Sequence, residues 1–258
     1  MLSLESAINV FLHSFALNRS IARPAEVAQL GPFSWRGDTW RCHSVRDVAR
    51  QLDARREEIV VSGNIPAGAI VAAVAEYGPV SGYMLDVYLP AGDDTKPVIQ
   101  ALKALGYRFQ RSEPLMVRST RDVPEVSEGV RVMMVETQVE AERADRAAGT
   151  RQWFPWDQEE RNRSINVYFV EEDAEYASWG RSIFCRPEGS YVAGMYTQEQ
   201  YRRRGLATQV LRAMLAGDAQ AGAEYSVLLA TRAGEQLYLS VGYERVGTLL
   251  MFTPVKKG

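Results

Sequence analysis

The chain is 258 residues long, with 46% hydrophobic, 24% charged and 10% aromatic side chains, which excludes a disordered, collagen-like or low-complexity polymer. Lys and Arg number 30 against 32 Asp and Glu, a formal net charge of −2, so no global basic field exists to hold nucleic acid and any anion site must be local. At roughly 150 residues per domain, this length fits two domains or one large one.

In chain order, Leu4, Ile8, Phe11, Leu12 and Phe15 share one helical face and predict an amphipathic N-terminal helix that packs on the body of the protein. Glu5 and the lack of an early Lys or Arg argue against a signal peptide there, and no apolar run of spanning length follows. Pro24, Gly31, Pro32 and Gly37 predict loops over 19–40. A helix is predicted over 44–58, with Ser44 as N-cap and Val45, Val48 and Leu52 on one face. A strand or connector at 57–64, a helix at 66–78, a strand at 83–89 and a helix closed by Gly106 come next. Residues 107–119 read as two short strands about a turn at Ser112–Glu113.

Residues 121–129, polar and carrying Pro124 and Gly129, are the predicted linker. They divide an N-terminal α/β domain, 1–120, from a second domain, 130–258. The second unit starts as a strand, then a helix over 139–149 and an aromatic-rich loop to 164. Strands are predicted at 165–173, 176–185 and 190–197, then a helix from Gly205 to about residue 222, a strand at 224–231, a short helix ending at Gly242, and a closing strand pair over 244–252. YMLDVYL, a helix, LGY and LMV in the first half are echoed by YSVLLAT, a helix, VGY and LMF in the second. A duplicated half-domain and simple convergence both fit that echo.

The site-bearing stretch is SYVAGMYTQEQYRRRGLATQVLRAML. A strand ending at Tyr196–Thr197 runs into the basic turn Arg202–Arg203–Arg204, and Gly205 and Ala207 then open a long helix. The first N–H groups of a helix lack intrahelical partners and sit at the positive end of its dipole. Arginine adds charge-assisted donors suited to phosphate oxygens. Together these features read as a pyrophosphate cradle.

With these motifs the chain, over about residues 129–255, resembles the GNAT superfamily of acyl-CoA-dependent N-acetyltransferases. Arg202–Ala207 is similar to that family's pyrophosphate loop, and LYLSVGY to its L-Y-x-x-x-G-[F/Y] segment. The resemblance implies an α+β fold with a mixed, strongly bent sheet flanked by helices. The smaller N-terminal α/β domain lacks a CoA loop and is open to being a degenerate half of the same fold. It further implies that acetyl-CoA lies between two splayed strands, as co-substrate and with no metal. The backbone of Met195, Tyr196 and Thr197 would then hold the pantetheine arm. The N–H groups of Arg203, Arg204, Gly205, Leu206, Ala207 and Thr208 would hold the pyrophosphate, with Arg202 beside them, and Tyr238 would act as general acid. Thr231 stands where many members carry Asn, which departs from the pattern.

The expected activity is transfer of an acetyl group to a primary amine by direct attack. The acceptor is a small-molecule amine or an amino-acid-like compound, walled by Trp153, Phe154 and Trp156. Structural alternatives stand beside these roles: a solvated basic turn, a core tyrosine, and core or interface aromatics. His13 and His43, the two histidines, have no metal-ligand spacing. The second half therefore has no histidine base, and Glu171, Glu172, Glu175 and Glu188 are the carboxylate candidates. Cys42 and Cys185 lack a His–Asp partner pattern, which disfavours an acyl-cysteine route, and their spacing fits a reducing, cytoplasmic compartment. The alternative from another class is a CoA-binding sensor or scaffold without turnover. No nucleic-acid or membrane partner is expected.

Overall fold

The computed structural model describes residues 3–22, 30–33, 39–43, 57–77, 83–123, 125–149, 152, 163–185 and 189–255. Among the described residues eleven strands form one sheet. They are β1 (Leu30–Phe33), β2 (Thr39–His43), β3 (Glu57–Ser62), β4 (Met84–Pro90), β5 (Tyr107–Ser119), β6 (Val132–Met134), β7 (Ile165–Glu172), β8 (Glu175–Cys185), β9 (Gly189–Thr197), β10 (Tyr225–Leu229) and β11 (Glu244–Pro254). The helices are α1 (Leu4–Ala22), α2 (Ala67–Tyr77), α3 (Lys96–Ala104), α4 (Gln138–Ala148), α5 (Leu206–Gln220) and α6 (Glu235–Ser240). This is the α+β, mixed-sheet architecture expected from the sequence.

The strand order is β1-β2-β3-β4-β11-β5-β10-β9-β8-β7-β6. Leaving out the edge strand β6, the order is palindromic in role: β1 to β5 of the first half match β7 to β11 of the second. In each half two antiparallel strands lead to a parallel pair, β3–β4 or β9–β10. A helix crosses between the members of each pair, α2 or α5. The final strands exchange places, so β11 pairs with β4 and β5, and β5 with β10 and β11. Each half therefore completes the other's sheet, a topological form of the sequence echo.

Two predicted turns are absent. Residues 107–119 are one strand, not a hairpin at Ser112–Glu113, and 244–254 are one strand, not a pair. Both strands run the length of a shared antiparallel ladder, whose register shifts between Arg245 and Gly247 and between Met251 and Phe252. Those irregularities absorb the bend that the polar SEP triplet suggests as a turn. Loops were expected over 19–40, yet α1 extends to Ala22, and 30–33 pair with 39–43 as strands. Gly31 and Pro32 lie in β1, which sits at the sheet edge where proline is tolerated. The helix predicted over 44–58 lies mostly outside the described residues, and 57–58 begin β3.

Helix α1 covers one face of the sheet. Its Ala7, Ile8, Val10, Phe11 and Leu12 pack with Ile165, Val167, Ile183, Tyr191 and Val227, together with Ala141 and Ala144 of α4. Although α1 belongs to the first half in sequence, these sheet partners belong to the second. Helices α5 and α6 build a second core around Leu206, Val210, Leu211, Met214, Tyr238 and Tyr243. Ile70, Val74 and Leu102 of α2 and α3 build a third, with Leu85, Val87, Leu250 and Phe252. The segment expected as a linker runs along α5. Ser127 donates its N–H to Gln209 Oε1 (2.8 Å), and Arg212 donates to the Glu125 carbonyl (3.2 Å).

Candidate functional site

The site begins where a ladder stops. Strands β9 and β10 are paired only at Ser190–Ser226 and Tyr191–Val227, although β9 continues to Thr197 and β10 to Leu229. A bulge turns β9 aside: Gly194 and Met195 together oppose Gly180 of β8. Gly194 has φ +64°, a left-handed conformation that favours glycine. The end of β9 is held to β8 instead. Ser178 Oγ donates to the Tyr196 carbonyl (3.1 Å) and lies 2.9 Å from Thr197 Oγ1, and Gln198 Nε2 donates to the Tyr176 carbonyl (2.7 Å).

The resulting cleft has a volume of about 310 Å³. It brings together Met195, Tyr196, Thr197, Ala207, Thr231 and Tyr238, which the family resemblance marked on separate elements. Tyr238, on α6, is 8% exposed and meets the Tyr243 ring edge-on, with centroids 5.9 Å apart. Burial pushes its hydroxyl up to about 12, so it keeps its proton at neutral pH. Thr231 lines the cleft while its Oγ1 accepts the Gly234 N–H (3.2 Å), a bond that shapes the entry to α6.

Next to the cleft, α5 starts without a side-chain cap. Its N-cap is Gly205, at φ +77°, and a Cβ built there would meet nothing within 4 Å. The space before the helix end is therefore open, and the glycine is required by its backbone angle rather than by crowding. The Gln209 N–H donates to the Gly205 carbonyl (3.2 Å), which leaves the preceding N–H groups outside the intrahelical ladder. Leu206 turns its side chain into the core, so only its backbone is available to a ligand. Thr208 is partly buried in the same first turn.

The three arginines behave differently. Arg202 folds back, donating Nε–H to the Thr197 carbonyl (3.1 Å) with its guanidinium 5.7 Å from the Tyr196 ring centre. Arg204 lies 3.9 Å from Glu172 and 5.2 Å from the Tyr201 ring centre. Arg203, exposed and at φ +65°, completes the turn. Trp153, Phe154 and Trp156 lie outside the described residues, as does Glu188. Of the base candidates, Glu171 pairs with Arg143 (3.0 Å) and Glu172 with Arg204 (3.9 Å), and neither they nor Glu175 line the cleft. Among the described residues no group of three or more His, Cys, Asp or Glu is placed to hold a metal ion, and no helix is long and apolar enough to cross a membrane.

Several residues reach the site that the sequence motifs do not mark. Asn18 of α1 lines the cleft from the opposite face of the sheet, with its Oδ1 buried and without a hydrogen-bond partner. It follows Phe11 and Phe15 along the apolar stripe, where a polar residue is the one available signal. Across β9 a second cavity of about 420 Å³ is lined by Ala147, Ala148, Gln152, Trp179, Arg181 and Gly194–Tyr196. Arg181 lies between Trp179 and Ile183 on the inward alternation of β8, and that placement of a charge was its only signal.

Comparison with known proteins agrees with this geometry. Residues 163–245 match the model of an acetyltransferase (GNAT) domain. A GCN5-related N-acetyltransferase from Kribbella flavida superposes with a TM-score of 0.64 at 17% identity, covering 100% of this chain and 98% of its own. One from Sphaerobacter thermophilus gives 0.60 at 12%, covering 85% and 78% respectively. A tandem GNAT protein from the clavulanic acid biosynthesis pathway gives 0.51 at 13%, covering 100% and 98%. No curated protein matches the sequence.

Proposed function

We propose that this protein, whose residues 163–245 match the model of an acetyltransferase (GNAT) domain, transfers an acetyl group from acetyl-CoA to a primary amine by direct attack. The observation that carries the reading is the early end of the β9–β10 ladder beside an uncapped helix start. Beyond Tyr191 the edge of β9 that faces β10 is free of ladder partners, and backbone donors and acceptors on such an edge suit an amide-bearing arm. The open space before Gly205, with helix N–H groups behind it, suits a diphosphate. The donor set therefore fits acyl-CoA, whose thioester supplies the activated acetyl group.

In this reading the backbone of Met195, Tyr196 and Thr197 orients the arm, and the amides from Arg203 to Thr208 hold the phosphates. Arg202 and Arg204, already partnered, border the site, and Thr231 lines it. The amine nitrogen bonds to the acyl carbon as the carbon–sulfur bond breaks. Tyr238, protonated at neutral pH, gives its Oη proton to the departing sulfur. The nitrogen's proton leaves to solvent, from which Tyr238 is reprotonated, since no carboxylate lines the cleft among the described residues. Holding both reactants in one cleft supplies most of the advantage. The first half reaches this cleft through Asn18 of α1.

Calorimetry with CoA, together with thiol release from acetyl-CoA across a panel of amines, tests this. Binding accompanied by amine-dependent thiol release is expected. Binding without release under any amine would point to the sensor instead.

A further inference from the structure

The second cavity has the chemistry of a recognition pocket. Its wall is apolar and aromatic: Ala147 and Ala148 from α4, and Trp179 tilted against Tyr196 with ring centroids 4.9 Å apart. Among the described residues its single charged lining residue is Arg181. Arg181 is partly buried, and its Nε is wholly buried with no hydrogen-bond partner. Nη1 donates to Gln152 Oε1 at 2.8 Å. Asp145 and Tyr191 are the groups whose charge acts on Arg181, yet no acid lies within 4.0 Å of it among the described residues. Asp145 instead accepts the Gln152 backbone N–H (2.5 Å). Gln152 is thus held from its backbone while its side chain positions the guanidinium.

A guanidinium kept only as a structural pin has its donors taken up by the chain, because a buried donor without a partner loses its hydration and gains nothing in return. Here Nε is left over among the described residues, beside a largely apolar cavity. Desolvation lowers Arg181 to about 10, so it remains a cation at neutral pH. A planar cation with spare donors in such a place matches a carboxylate. This cavity and the cleft share Gly194, Met195 and Tyr196, so a small molecule in the cavity reaches the splay of β9 with its other end.

We propose that Arg181 anchors the carboxylate of the acceptor, which is therefore an amino-acid-like amine with an apolar or aromatic body packed on Trp179 and Tyr196. The proposal rests on the β9–β10 cleft being the acyl-CoA site, and it assigns to Arg181 a contact with substrate rather than a step in the chemistry.

The test is thiol release from acetyl-CoA with matched acceptors: L-phenylalanine against L-phenylalaninamide, and L-tryptophan against tryptamine. The carboxylate member of each pair is expected to show a kcat/KM at least ten-fold higher. Arg181→Gln should raise KM for the carboxylate member at least ten-fold, leave KM for acetyl-CoA within two-fold, and bring the pair together. Arg181→Lys should keep part of the preference. If Arg181→Gln does not fold, the wild-type pairs decide alone. CoA binding by calorimetry with no preference for carboxylates, or with none of the four compounds used, overturns the anchor and leaves the cleft standing. No heat with CoA overturns the cleft itself.

Discussion

The two halves share one connectivity and differ at one ladder. In the first half β3 and β4 are paired over five positions, from Glu58–Met84 to Ser62–Tyr88, and the Gly63 N–H extends the closure to the Tyr88 carbonyl (2.7 Å). A Cβ at Gly63 would collide with Leu89, so the strands stay close beyond the end of β3. In the second half the equivalent β9 and β10 pair over two positions and then part. The turn after β3 is Gly63–Asn64–Ile65–Pro66 with no arginine, whereas Arg202–Arg204 precede α5. The proposed site therefore comes from a parallel ladder interrupted by a bulge, not from an added element. The closed half contributes in another way: its N-terminal helix crosses to the open half and brings Asn18 to the cleft.

The largest expected effect concerns how far the halves are separate. Phe252 lies on β11 of the second half, yet it packs in the first half's core against Phe109, with ring centroids 5.5 Å apart. Phe252→Ala should cost about 3–5 kcal/mol and shift one cooperative unfolding transition downward. Two resolved calorimetric transitions, only one of them moved, would break the picture of exchanged strands.

Loop function should differ just as sharply. Gly205→Glu places a charged side chain and a strained φ where the anion is proposed to lie, and should weaken CoA binding by about 100-fold, roughly 2.7 kcal/mol. Gly68→Glu, in the first turn of α2 with nothing near its Cβ, should leave affinity unchanged. Equal losses in the two variants, measured by calorimetry, would show that the halves share the ligand.

Chemistry comes next in size. Tyr238→Phe keeps the ring packing on Tyr243 and removes the proton, so kcat should fall about 10–100-fold while KM for acetyl-CoA stays within two-fold. An unchanged kcat removes Tyr238 from the proposed mechanism.

The smallest effect is a pH dependence confined to the second half. Asp218 is fully buried on α5 and accepts from Ser190 Oγ, and burial pushes its carboxyl up to about 7 from 3.8. The matching helix α2 carries only the exposed Glu76. The folded chain holds the proton that the unfolded chain releases near 3.8. This contribution to stability is therefore full below that value and lost as pH rises through about 7. Asp218→Asn removes the titration, so its melting temperature should gain on wild type between pH 4 and 8, by about 3 °C for about 1 kcal/mol. A constant gap in melting scans argues against a buried proton.

Much of the second half was legible in one dimension. Leu206, Val210, Leu211, Met214 and Leu215 recur at helical spacing and all lie in the α5 core. Gly205 closes the basic turn where the backbone takes a positive φ, and Gly242, the glycine within LYLSVGY, takes another. Less was legible in β5 and β11. Ser112, Glu113 and Gly247 resemble turn residues locally, but they sit in a long shared ladder whose partners lie more than 120 residues apart. Local propensity is a weak guide where distant pairing sets the conformation.

The sequence by itself determined the elements whose cause is local: the amphipathic stripe of α1, the glycine at the mouth of α5, and the strand–turn–helix order around them. Only the tertiary structure decided which strands part, that β5 and β11 trade sheets, and that Asn18 and Arg181 face the place where β9 turns aside. Those outcomes come from ladder pairing and from side chains buried against distant neighbours, and nearest-neighbour preferences carry neither kind of information.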